Sequence, residues 1–184
     1  MNILIVGSGN IGYRHAQKLH RIKEVKKIFF FDNNKKKYTN IKKLVTSEKI
    51  FFLQNLNLKQ IKIDLVIIAT TVENRYFLLK RIIKEKPKLK NIILEKIVFL
   101  KKIHYSKIIR LAETKKINIF TNYPRPCYKF YIKLKKLTRQ KKIVIKVKGS
   151  NWNMLSNIVH FLNLFEFINL NKKITFIEEK NKYQ

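Results

Sequence analysis

Three of the chain's four glycines fall within six residues, Gly7-Ser8-Gly9-Asn10-Ile11-Gly12. Their spacing is Gly-x-Gly-x-x-Gly, and an apolar run, Asn2 to Val6, leads directly into it. Each glycine answers a different steric demand. Gly7 permits a tight turn, Gly9 removes the side chain that would hold a pyrophosphate away from the main chain, and Gly12 lets the next helix lie close to the strand. Asn10 and Ile11 open that helix, whose first N–H groups lack intrahelical acceptors and favour anions. Asp32 stands 20 residues past Gly12, at the end of the next apolar run, where a carboxylate accepts hydrogen bonds from ribose hydroxyls. These residues predict a dinucleotide site. The carboxylate repels a 2′-phosphate, so NAD is the expected cofactor; Lys35, nearby in sequence, softens the repulsion and keeps NADP as an alternative.

The elements that must hold this turn alternate along the chain. Strands are expected at Asn2 to Val6, Lys27 to Phe31, Ile50 to Leu53, Asp64 to Ala69, Asn91 to Leu94 and Ile117 to Thr121. Several are unbroken apolar runs, as a parallel sheet covered on both faces requires. Helical spacing of apolar residues predicts helices over 11–22, 36–45, 73–84 and 105–115. This alternation predicts an α/β fold, a Rossmann doubly wound parallel sheet, over residues 1–121. Asn122-Tyr123-Pro124-Arg125-Pro126 breaks the pattern. Beyond it, 122–184 reads as the start of an α+β second domain: a helix over 128–137, a strand at Ile143 to Lys148, a helix from Met154 to Phe167, and a strand-like run at Lys173 to Ile177.

Composition narrows the remaining classes. Cys127 is the single cysteine, so no internal disulfide forms, and the four histidines show no metal-ligand spacing. No metal is expected. No apolar run approaches the ~20 residues that span a bilayer, and Met1 to Gly12 does not read as a signal peptide; a cytoplasmic protein without membrane contact is the expectation. The formal net charge is +31. The lysines are spread over the whole chain and arginine is scarce, a pattern of adenine- and thymine-rich codons more than of a selected nucleic-acid surface. No specific nucleic-acid partner is expected, although a basic nucleic-acid-binding protein stays open as a third reading.

With these residues in view, the chain resembles the Gfo/Idh/MocA oxidoreductases, the glucose–fructose oxidoreductase and inositol dehydrogenase family. Gly12-Tyr13-Arg14-His15 looks like the family's continuation of the glycine turn, and Ile67-Ile68-Ala69-Thr70-Thr71 like its fourth strand and cofactor-facing loop. Leu94-Glu95-Lys96 resembles the family's Glu-Lys-Pro motif after strand five, with Ile97 in place of proline. Glu85-Lys86-Pro87 spells that tripeptide literally but precedes the strand, and ligands bind at the carboxyl ends of parallel strands. Asn157 to Leu164, with Asn157 three residues before His160, resembles the catalytic helix of members associated with surface-polysaccharide sugars.

The resemblance implies hydride transfer between a sugar or nucleotide-sugar and NAD(P). It implies catalytic roles for Lys96, His160 and Asn157, cofactor contacts from Gly7, Gly9, Asn10, Ile11, Gly12, Asp32, Ala69, Thr70 and Glu95, and substrate contacts from Lys96, Tyr123, Arg125 and Trp152. Family members continue into a broad sheet beyond the histidine helix. The chain is therefore expected to expose apolar surface in its second unit and to pair with a second copy or a complementing chain. A cofactor-binding remnant without turnover is the alternative reading.

Overall fold

A computed structural model describes residues 1–86, 88–139, 141–148 and 154–169. Six strands form one sheet: β1 (Asn2–Val6), β2 (Lys27–Phe31), β3 (Ile50–Phe52), β4 (Leu65–Ile68), β5 (Asn91–Leu94) and β6 (Asn118–Thr121). Every pairing is parallel, and the spatial order is β3-β2-β1-β4-β5-β6. The chain winds outward from β1 in one direction, then returns to β4 on its other side. That reversal between β1 and β4 opens a crevice at the carboxyl ends of the strands, where doubly wound sheets bind ligands.

Alternation along the strands separates two apolar cores. Ile3, Ile5 and Ile67 pack with Ala16 of α1 (Asn10–Leu19) and Ile41 of α2 (Lys37–Leu44). Leu4, Val6, Val66 and Ile68 pack with Leu79 and Ile82 of α3 (Arg75–Glu85) and Ile108 of α4 (Lys102–Lys115). Successive residues point to opposite faces, so unbroken apolar strands need helices on both sides. Each fully buried aliphatic side chain contributes about 1.5–3 kcal/mol by leaving water, and this holds the strand ends in register.

Contacts divide the chain into two units, Met1–Asn122 and Tyr123–Gln184. The second unit holds a short 3-10 turn at Arg125–Cys127, α5 (Lys129–Leu137) and α6 (Met154–Ile168). The strand expected at Ile143 to Lys148 does not form; residues 142–148 belong to no regular element. Alternation survives there, with Ile143 and Ile145 half-buried and Val144 exposed. A strand also needs a hydrogen-bonded neighbour, and none pairs with this segment among the described residues. The strand-like run at Lys173 to Ile177 lies outside the described residues.

Candidate functional site

Sheet register places the site. Phe31 pairs with Val6, Val6 with Ile68, Ile68 with Leu94, and Leu94 with Thr121. The five strands therefore end in one row. Main-chain bonds carry the ladder one residue further: the amide of Gly7 donates to Phe31 O (2.8 Å), Ala69 to Val6 O (2.8 Å), Glu95 to Ile68 O (3.1 Å) and Asn122 to Leu94 O (2.8 Å). Asp32, Gly7, Ala69, Glu95 and Asn122 thus stand side by side along the carboxyl edge of the sheet. Four of the five are candidate site residues from sequence; Asn122, the first residue past β6, is the addition.

The three glycines of the turn sort by what a side chain would meet. Gly7 has φ +103°, and a Cβ there would lie 2.7 Å from the carbonyl of Ala69. At Gly12 a Cβ would fall 1.9 Å from Gly7 O, so this glycine sets the approach of α1 to the turn. Gly9 differs. Its backbone is extended (φ −75°, ψ −173°), open to any residue, and a Cβ there would meet nothing within 4 Å. The protein gives no internal reason for glycine at this position; a ligand lying against the main chain does.

Gly7, Gly9, Asp32, Ala69 and Thr70 line a cleft of about 640 Å³. The Ser8 and Thr70 hydroxyls are buried and lack hydrogen-bond partners among the described residues. No side chain caps the first turn of α1, and no acidic residue stands in it, so its N–H groups and partial positive charge remain for an anion. The bare main chain at Gly9, the open helix start and the unmatched hydroxyls fit a dinucleotide diphosphate.

Asp32 ties the turn after β1 to the loop after β2. Its Oδ2 accepts the Ser8 amide (2.7 Å) and its Oδ1 the Asn34 amide (2.8 Å). The lysine beside it is Lys37, with Nζ 3.5 Å from Oδ2, and not Lys35. Lys35 Nζ turns away, donating to Leu53 O (3.1 Å) and sitting 4.4 Å over the Phe31 ring. With consecutive lysines at 35–37, the start of α2 at Lys37 decides which one reaches the carboxylate.

Glu95 is buried, and its Oε1 faces His15 Nε2 at 3.1 Å and accepts from Asn122 Nδ2 at 2.6 Å. Burial alone would raise the carboxyl's pKa; hydrogen bonds from His15 and Asn122, with the charges of His15 and Arg75, outweigh it and hold it below the ordinary value. Sequence reasoning could not see this pairing, because its members come from α1, the end of β5 and the end of β6. Lys96 follows Glu95 and is half-buried; its peptide bond to Ile97 is cis. The competing lysine, Lys86, donates to Ile61 O (2.5 Å) and Lys59 O (3.3 Å). That segment leads into the amino end of β4, opposite the cleft. Burial lowers its pKa, with Glu85 acting against. Pro87 lies outside the described residues.

In the second unit, the rings of Tyr123 and His160 meet edge to face, 5.8 Å apart. Arg125 lies 4.3 Å over the Phe161 ring and within 3.4 Å of Tyr131 Oη. Asn157 is half-buried three residues before His160 on α6, one turn away on the same face. Trp152 lies outside the described residues. Among the described residues, no three His, Cys, Asp or Glu side chains converge as metal ligands, and no helix is long and apolar enough to cross a membrane. Cys127 is exposed.

Among solved structures, GenD2 from gentamicin A biosynthesis, in complex with NAD, is 15% identical; the match covers 91% of this chain and 53% of that one, with a TM-score of 0.74. UDP-N-acetylglucosamine 3-dehydrogenase GnnA from Acidithiobacillus ferrooxidans is 15% identical over 91% of this chain and 56% of its own, TM-score 0.71. Myo-inositol 2-dehydrogenase from Lactobacillus plantarum is 17% identical over 76% and 41%, TM-score 0.64. These likenesses show the fold. The chain spans about half the length of the first two. No curated protein sequence matches it. A family model described as the oxidoreductase family with an NAD-binding Rossmann fold matches residues 1–124, and with two thirds of its length so matched the chain belongs to that family, Gfo/Idh/MocA.

Proposed function

We propose that the chain serves an NAD-dependent oxidoreductase acting on a sugar or nucleotide-sugar. The observation that carries this reading is the open space before Gly9 in a cleft at the sheet's reversal point. A nicotinamide dinucleotide held by the glycine turn and Asp32 would supply the hydride acceptor or donor. His160 takes the proton of the reacting hydroxyl as general base. Tyr123, edge-on to its ring, restrains it. Lys96 hydrogen-bonds the substrate oxygen and stabilises negative charge developing there. Asn157 orients a neighbouring hydroxyl. Arg125, 4.3 Å over the Phe161 ring, completes the substrate contacts, and Glu95 braces Lys96 through its bonds to His15 and Asn122. NADP is a second ligand, admitted by Lys37 beside Asp32.

The test is turnover of NAD with a panel that includes UDP-N-acetylglucosamine and myo-inositol. Lys96→Ala and His160→Ala are each expected to lower kcat by roughly 10²–10⁴. Lys86→Ala, in the literal tripeptide, is expected to leave it unchanged. NADH binding by the wild type with no turnover on any sugar would favour a cofactor-binding subunit instead.

A further inference from the structure

We propose that Arg75 positions the nicotinamide-side wall of the cleft, fastening the loops after β4 and β5 into one body. The inference rests on the dinucleotide reading above. Arg75 opens α3 and is only 2% exposed. Its Nη2 donates to Thr70 O, in the loop after β4. Its Nη1 is shared among Glu95 O, Ile97 O and Val98 O (3.3 Å), in the loop after β5. One guanidinium thus supplies donors to four carbonyls on two irregular segments, and Lys96 lies between two of them.

Buried carbonyl oxygens need donors, and here those donors come from the planar fork that distinguishes arginine from lysine. A lysine ammonium is a single point and reaches one loop or the other. Burial pushes the guanidinium pKa below its ordinary value, while the charges of Glu95 and Glu73 act the other way.

The row of strand ends tells which part of a ligand this affects. Asp32 and Gly7 stand at one end, with the turn suited to adenosine and diphosphate. Thr70, Glu95 and Lys96 follow the two strands on the other side of β1. Arg75 fastens only the second group. It therefore governs the nicotinamide half and leaves the adenosine half alone.

The experiment compares ADP and NADH binding to the full-length wild type, Arg75→Met and Arg75→Lys, with NADH emission as a report on the nicotinamide environment. The wild type is expected to bind NADH more tightly than ADP and to change its emission. Both variants are expected to keep ADP affinity within about threefold and to lose about 10- to 100-fold for NADH, with the emission change. Should Arg75→Met not fold, Arg75→Lys, which keeps the charge, gives the same comparison. Equal losses for ADP and NADH, unchanged NADH binding, or full recovery in Arg75→Lys would overturn the inference. A wild type that binds neither ligand would instead remove the dinucleotide reading beneath it.

Discussion

Asn122 Nδ2 donates to Glu95 Oε1 at 2.6 Å, joining the residues that follow two neighbouring strands. His15 approaches the same oxygen from the first helix. The carboxylate charge is thereby held in a mostly dry place, with its pKa below the ordinary glutamate value despite burial.

Linkage gives that depression a sign. A carboxyl whose folded pKa is lowered contributes stability above its unfolded value and loses it as pH falls through the folded one. Glu95→Gln is expected to cost about 1–2 kcal/mol at neutral pH, because a charged acceptor becomes a neutral amide. The gap from wild type should close as pH falls below the ordinary glutamate range and through the lowered folded value. Urea midpoints of both proteins across that range check it; a gap constant with pH would detach Glu95 from the acid response.

The glycines of the first turn make a contrast in which stability and binding separate. Gly9→Val introduces a side chain where the backbone is extended and no protein atom lies within 4 Å. Folding stability should change by no more than about 1 kcal/mol, while NADH affinity falls by roughly 100-fold or more. Gly7→Ala, at φ +103° and 2.7 Å from Ala69, should lose about 2–4 kcal/mol of stability. Thermal melts beside NADH titrations distinguish the two. Undiminished binding by folded Gly9→Val would remove the cofactor from this main chain.

Cofactor choice should depend on Lys37, the lysine that reaches Asp32. It is well exposed, so solvent screens it and the effect is modest. Lys37→Glu is expected to weaken NADPH binding by about tenfold while moving NADH by less than about threefold. Fluorescence titrations with both ligands check it. Parallel shifts would mean that Lys37 does not face the ribose 2′ position.

Much of the fold is legible in the sequence because it depends on local demands. Apolar runs such as Leu65 to Ile68, short and rich in β-branched residues, suit buried strands, and Gly7, Gly9 and Gly12 answer steric needs that their spacing reveals in the context of a strand before and a helix after. Lys96 and Lys86 can be told apart from sequence because strand direction puts Lys96 past the carboxyl end of β5 and Lys86 before its amino end. What stays hidden depends on distant partners. Glu95 meets Asn122 and His15 across 27 and 80 residues, and Arg75 meets carbonyls more than 20 residues away. The stretch 143–148 shows the converse: alternation is local, but a strand also needs a neighbour that sequence cannot supply.

The main-chain bonds that extend the ladder one step past each strand use no side-chain atoms. A substitution at Ala69, Glu95 or Asn122 therefore alters what the edge presents while leaving these main-chain bonds available. Chemistry along this rim is open to replacement one position at a time, while the scaffold beneath keeps its alignment.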